Sequence, residues 1–214
     1  MNIYWLGQAS YLIKTANGKR LLIDPFDDSI GYTPFKGSVD LVTISHNHYD
    51  HNFTKLIENS PTVINSLGNH TTDFYEVTGI KSFHDQTKGS ERGDNIIFKY
   101  TIDNITLCHL GDLGHDLDDE TLKEIGNVDI LFIPVGEVYT FDVKTAAKVA
   151  KKINPKFIIP MHYKTKFLNI PLAGVDKFLM EMKDYTTENM SVFSISKDEL
   201  DTKSKIILID VYSK

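Results

Sequence analysis

The run Ser45-His46-Asn47-His48-Tyr49-Asp50-His51 places four metal-binding side chains, His46, His48, Asp50 and His51, within six residues. Imidazole nitrogens and carboxylate oxygens are the donors that Zn²⁺ takes, about four at a time at roughly 2.0 to 2.2 Å. In an extended segment His46 and His48 project to one side, because side chains alternate with period two. Asp50 and His51 follow only after the chain has turned. One ion cannot readily collect all four donors, whereas two adjacent ions can. Without a metal, this cluster at a strand end would leave polar groups unpaired, at about 1 to 3 kcal/mol each. The run therefore reads as a metal site, and completing two ions requires ligands from elsewhere.

The further candidates each stand just after an apolar, strand-like run. His84 follows Ile80 to Phe83, Asp112 follows Leu107 to Gly111, and His162 follows Phe157 to Met161. Strand ends on one edge of a sheet converge, so these three are expected to meet the first four. The segment before His84 carries the weakest strand signal of the set. His109 and His115 flank Asp112; His109 reads as a packing or supporting residue, and His115 has no assigned role. His70, beside Asn69 and two threonines, reads as a loop residue. The single cysteine, Cys108, excludes an internal disulfide and a Cys-based zinc motif; it reads as a small buried hydrophobe.

Positioning these residues requires a β-rich scaffold. Asn17-Gly18 between Ser10–Lys14 and Leu21–Asp24 is a hairpin signal. Asp40 to Ile44 reads as a buried strand that ends where the histidine run begins. A second block repeats the plan, with strands Asn95–Ile102 and Ile105–Leu110, a short helix from about Asp118 to Ile125, and strand Asp129–Ile133. Asp40-Leu-Val-Thr-Ile parallels Asp129-Ile-Leu-Phe-Ile, and Pro61-Thr-Val-Ile-Asn parallels Pro155-Lys-Phe-Ile-Ile, so two similar halves are expected to face each other. Val143, Ala146, Ala147, Ala150 and Ile153 form a helical stripe capped by Asp142. Val175, Phe178, Leu179 and Met182 form another, and strands near Ser191–Ile195 and Lys205–Val211 close the chain.

Bulk properties narrow the class. At 214 residues, with no linker or low-complexity run, the chain is expected to form one domain over 1–214. A composition of 41% hydrophobic and 24% charged residues is that of a soluble globular protein. The net charge of −6 and the lack of a basic cluster argue against nucleic acid as a partner. No stretch approaches a membrane span and no leader pattern opens the chain, so a cytoplasmic location is the default. Oligomeric state is left open, and a homo-oligomer is compatible with the sequence.

The pattern His-x-His-x-Asp-His at 46–51, with Asp24 before it and His84, Asp112 and His162 after it, resembles the metallo-β-lactamase superfamily over essentially the whole chain. That resemblance implies an α/β fold, a four-layer αββα sandwich of two mixed sheets flanked by helices, with metals at one edge. It implies that His46, His48 and His84 hold one metal and Asp50, His51 and His162 a second, with Asp112 bridging. Asp24 would orient a ligand histidine, as metal-bound imidazoles usually require. The segments Trp5–Ser10, Ile23–Phe26, His109–His115 and Ile159–Tyr163 look like the branch that includes L-ascorbate-6-phosphate lactonase and, more distantly, N-acylphosphatidylethanolamine phospholipase D. Asn52-Phe53 stands after His51 where glyoxalase II and the lactamases usually have Gly, which lowers those two activities.

The expected activity is metal-dependent hydrolysis: two ions, Zn²⁺ with Mn²⁺ or Fe²⁺ as alternatives, share a water and present it as hydroxide to a small, anionic lactone or phosphoester. Asp50 and Asp112 are the catalytic carboxylates, and Tyr163 is a candidate donor to the developing oxyanion. The loop Gly136–Phe141 is placed along the pocket. Arg92, Lys164 and Lys166 are candidates for an anionic substrate group, with Arg favoured for bidentate geometry. The competing readings are a non-catalytic metal-binding protein, a phosphodiesterase or nuclease on the same fold, and a diiron redox protein. The last would ordinarily want a carboxylate in place of His48.

Overall fold

The computed structural model describes residues 1–72 and 74–212. Among the described residues fourteen strands run in chain order as β1 Asn2–Gly7, β2 Ser10–Lys14, β3 Arg20–Ile23, β4 Leu41–Thr43, β5 Thr62–Ile64, β6 Gly68–Thr71, β7 Glu76–Phe83, β8 Asp94–Ile102, β9 Ile105–His109, β10 Ile130–Pro134, β11 Phe157–Met161, β12 Thr186–Met190, β13 Phe193–Ser194 and β14 Lys205–Ile209. They form two mixed sheets, in the orders β13-β1-β2-β3-β4-β5 and β12-β14-β11-β10-β9-β8-β7-β6. The expected two-sheet α/β architecture is present. Among the described residues three α-helices accompany it: α1 Asp119–Ile125, α2 Val143–Ile153 and α3 Asp176–Glu181.

Period-two alternation sorts each strand of the first sheet between two cores. Tyr11, Ile13, Leu21 and Ile23 enter the larger core between the sheets, while Leu12 and Leu22 join a smaller one. The buried side chains of the helices, including Ile125, Ala146, Ala150 and Phe178, all belong to the larger core. Outside the first sheet the smaller core is closed by Phe26, Ile30, Tyr32, Leu168 and Leu172. These come from a 3₁₀ turn and connecting segments, so that outer layer is built mainly of loops.

The two halves are alike in detail. β1, β2 and β3 are antiparallel and β3, β4 and β5 parallel; β7, β8 and β9 are antiparallel and β9, β10 and β11 parallel. Asp40 takes the amide of Arg20 on its carboxylate at 2.8 Å, and Asp129 takes that of Thr106 at 2.9 Å. The backbone returns the bond in both halves, Asp40 N to Arg20 O at 2.9 Å and Asp129 N to Thr106 O at 2.8 Å. An aspartate just before a parallel strand thus fastens it to its neighbour in each half, which is why the Asp-led runs looked alike in sequence.

Several expectations shift. His70 lies in edge strand β6, paired opposite Val77, rather than in a loop. The expected Ser191–Ile195 strand shortens to β13, Phe193–Ser194, in the first sheet, and an unanticipated strand, β12, precedes it and ends at Met190 in the second. The segment before His84 belongs to the eight-residue strand β7, paired along its length with β8. Its weak sequence signal reflects polar Thr78, Lys81 and Ser82, which the pairing accommodates. Pro160 sits inside β11 because β14 pairs only with Phe157 and Ile158, so no ladder bond is lost there. No helix among the described residues is long and apolar enough to cross a membrane.

Candidate metal centre

Strand direction brings the seven metal-ligand candidates together. β3 and β4 run parallel, so Asp24 and Ser45-His46 emerge at one edge. β7 and β9 are each antiparallel to β8 and therefore share a direction, and β10 and β11 follow β9 in parallel. His84, Asp112 and His162 consequently leave the same edge of the second sheet. The sheets are joined there by Ile96 N–H donating to Ser45 O at 2.9 Å and His162 N–H donating to Gln8 O at 3.0 Å.

Three groups of donor atoms result, each lying within 4.8 Å of one another: His46, His48 and His84; His46, His51 and Asp112; Asp50, His51 and His162. Asp112 is central, its Oδ2 standing 3.1 Å from His162 Nε2, 3.2 Å from His84 Nε2 and 3.3 Å from His51 Nε2. Nε2 of His46 and of His51 and Oδ1 of Asp112 are buried without a hydrogen-bond partner. Buried polar atoms are rarely left so. Lone pairs of this kind converging on shared points fit divalent cations, and mixed nitrogen and oxygen donors suit Zn²⁺.

The electrostatics agree. Burial, reinforced by the neighbouring His51, pushes the His46 imidazole down to about 3, so it stays neutral and keeps a lone pair. Burial opposes a charge on His51, yet Asp112, Asp50 and Asp24 around it hold its proton well above the usual histidine range. Burial alone would raise Asp112, but His162 and His51 keep its carboxyl well below the ordinary range. Three carboxylates gathered on one imidazole form a negative enclave that a divalent cation neutralises more fully than a proton.

Supporting residues fix the donors. Asp24, fully buried, accepts from Ser45 N at 2.8 Å, Ser45 Oγ at 2.6 Å and His51 Nδ1 at 2.9 Å. Ser45 Oγ lies 2.9 Å from His46 Nδ1. Gln8 Nε2 donates to Asp50 Oδ2 at 2.9 Å. Asn95 accepts from Asp112 N at 3.0 Å and donates to Leu110 O at 2.9 Å. Gln8, Asp24 and His162 all have positive φ, at 52°, 42° and 52°, a conformation costing non-glycine residues roughly 1 to 3 kcal/mol each. Gly111, also at positive φ (56°), packs so closely that a Cβ would lie 2.3 Å from Asn95 Oδ1. Sequence reasoning missed Gln8 and Asn95, because a lone amide in a turn or strand carries no ligand-like signal.

Other candidates separate. His109 supports by packing: its Nε2 meets Ala9 O at 2.9 Å and its ring lies against Tyr11 and Phe132. His115 Nε2 accepts from Phe83 N at 3.2 Å, steadying the strand end that carries His84. Tyr163, the candidate oxyanion donor, stands apart from the others. It packs on Trp5, ring centroids 5.0 Å apart, in the larger core and does not line the cavity over the metal candidates. The left-handed turn at His162 sends its imidazole to the centre and the next side chain into the core. That cavity, about 470 Å³, is lined by His48, Asp50, His84, Asp112 and His162, with Arg92 and Tyr139. Tyr139 places the expected loop on its wall. Lys164 and Lys166 do not line it; Lys164 Nζ donates to the carbonyls of Leu168 and Ile170, and Lys166 lies over Phe167.

Comparison with known proteins adds an independent line. Residues 2–162 match the model of the family described as a beta-lactamase superfamily domain. A crystal structure from Thermotoga maritima, assigned as a Zn-dependent hydrolase of the metallo-beta-lactamase superfamily, is 35% identical and superposes with a TM-score of 0.80 over 97% of each chain. UPF0173 metal-dependent hydrolases of Bacillus mycoides and Archaeoglobus fulgidus are each 28% identical over 77% of this chain, and over 86% and 84% of their own lengths.

Proposed function

This chain belongs to the metallo-beta-lactamase superfamily of metal-dependent hydrolases, and from that premise we propose that it is a dinuclear enzyme cleaving a small, anionic lactone or phosphoester, acting as one domain over 1–214. His46, His48 and His84 would hold one ion and Asp50, His51 and His162 the other, with Asp112, whose Oδ2 lies among His51, His84 and His162, shared between them. The observation that carries this reading is the set of three interlocking donor groups, in which His46 and His51 are each shared by two. Zinc is the proposed metal, from the donor set and the name of the Thermotoga relative.

Bound there, a pair of divalent ions supplies Lewis acidity toward the scissile oxygen and lowers the pKa of a water they share. The chain does the rest. Asp24 keeps the His51 proton on Nδ1, leaving Nε2 as donor, and through Ser45 Oγ it orients His46. Gln8 ties down Asp50 Oδ2 and so fixes the carboxylate, which would accept or relay a proton. The neighbouring His51 holds the Asp50 carboxyl below the ordinary range against the effect of burial, so it is ionised. Metal analysis tests the reading: two equivalents of metal per chain and turnover of lactones or activated phosphodiesters, lost on chelation and restored by metal, are expected. Turnover of neither class, with chelation changing nothing, refutes it.

A further inference from the structure

Two cavities meet at the metal centre, and His48 and Arg92 are the two residues that line both. The smaller, about 470 Å³, is the one over the metal candidates. The larger, about 750 Å³, lies along His46 to His48 and is walled by the connection between β5 and β6 and by the facing residues of β7 and β8. Both volumes fall in the range of about 300 to 1,000 Å³ typical of small-molecule sites.

Arg92 is held at this junction with care. The Asp85 carboxylate, one residue beyond His84, accepts the backbone N–H groups of Thr87, Gly89 and Arg92 at 2.8 Å and of Glu91 at 3.0 Å. The loop is thereby fixed to the same strand end as a metal-ligand candidate. The guanidinium lies 4.6 Å from the ring centroid of Tyr139, which sets its plane. It has no ion pair or side-chain hydrogen bond among the described residues, whereas Lys164 spends its donors on backbone carbonyls. Five N–H donors at the doorway between two cavities are thus left for a ligand.

We propose that Arg92 is the specificity-determining residue of this site: it grips an oxyanion, carboxylate or phosphate, of a two-part substrate whose scissile bond sits over the metals and whose neutral, hydrogen-bonding remainder fills the larger cavity. The inference rests on the hydrolase reading above. A planar fork matches such a group bidentately. In the larger cavity Asn47, Asn65 and Ser66 offer neutral polar partners beside the half-exposed Leu67, and apart from Arg92 the one cation and one carboxylate on its wall, Lys81 and Asp94, are of opposite sign, which suits an amide- or hydroxyl-bearing body without net charge.

The test compares zinc-loaded wild type, Arg92→Gln and Arg92→Lys on mono(4-nitrophenyl) glutarate and on 4-nitrophenyl pentanoate, its chain-length match without the carboxylate. The ratio of kcat/KM for the two esters is expected to fall about ten- to a hundredfold in Arg92→Gln, mainly through KM, with Arg92→Lys between. In nitrogen NMR the Arg92 Nε resonance, assigned by its loss in Arg92→Lys, is expected to move on adding glutarate or inorganic phosphate, and the stronger ligand identifies the anion. By calorimetry N-benzoylglutamate is expected to bind wild type more tightly than glutarate, an advantage lost in Ser66→Trp. An unchanged ester ratio in Arg92→Gln, or a resonance that neither anion moves, overturns the role of Arg92; an advantage that survives Ser66→Trp overturns the placement of the remainder. Turnover of neither ester, with the resonance still moved by an anion, leaves the anion site standing; the hydrolase reading falls only if lactones and activated phosphodiesters are not turned over either.

Discussion

Replacing Asp24 by Asn removes one charge and almost no volume from a fully buried position, so its consequences come from hydrogen-bond direction. The carboxylate accepts three bonds, from Ser45 N, Ser45 Oγ and His51 Nδ1. With the amide oxygen kept on Ser45 N, the NH₂ occupies the place of Oδ2 and faces His51 Nδ1 as a donor. His51 must then accept on Nδ1 and carry its proton on Nε2, the atom 3.5 Å from Asp50 Oδ2 and 3.3 Å from Asp112 Oδ2. A protonated Nε2 cannot ligate a cation. The expected loss of metal affinity is about 10- to 100-fold, the usual effect of removing an orienting partner, or roughly 1.4 to 2.8 kcal/mol. Chelator competition with metal quantified on the dialysed protein reads this directly, and a cooperative thermal transition of the metal-free variant shows that the fold is kept. Asp24→Ala is the harsher control, since each buried donor it orphans costs about 1 to 3 kcal/mol of stability. Metal affinity within about twofold of wild type in Asp24→Asn, against the range expected for an orienting partner, would refute the assignment of Asp24 as the residue that sets the His51 tautomer.

Three other outcomes are expected. His162→Ala should release metal and abolish turnover as fully as His51→Ala, although 111 residues separate them in sequence; metal content of the two purified variants, one retaining both ions, would contradict this. Asp142 accepts from Lys144 N and Thr145 N at the start of α2, so Asp142→Ala should cost about 1 kcal/mol in urea unfolding. Desolvation pushes the Asp85 carboxyl up, but the N–H groups of Arg92, Gly89 and Thr87 that it accepts together outweigh this and hold it well below the usual range. Its stabilisation is therefore complete above about pH 3.9 and fades as pH falls through the lower folded value. Asp85→Asn should accordingly be less stable than wild type at pH 7 and lose less of its melting temperature between pH 5 and pH 2, followed in the metal-free protein.

The candidate ligands were legible because their chemistry is local. Few residue types donate to a cation, and His46, His48, Asp50 and His51 crowd one turn while His84, Asp112 and His162 each follow a β-type run. The strand plan was legible for a similar reason: Asp40 and Asp129 stand at equivalent points of two halves, and the fully buried strands β10 and β11 read as unbroken apolar runs. Even Asp142 and α2 could be placed, since capping and helical spacing act over a few residues.

What chain order alone did not determine is which side chains face one another across the sheets. Tyr163 adjoins His162, yet the positive φ at His162 turns it into the core. Arg92, Lys164 and Lys166 were all candidates from their charge; the Asp85 cage and the Tyr139 ring bring the first to the centre, while backbone carbonyls and the Phe167 ring engage the others. Gln8 and Asn95 reach Asp50 and Asp112 over 42 and 17 residues. Donor identity is fixed by covalent chemistry and is therefore written in the sequence. Facing, tautomer and access depend on backbone torsions and on distances set only when two sheets pack, and those the tertiary structure decides.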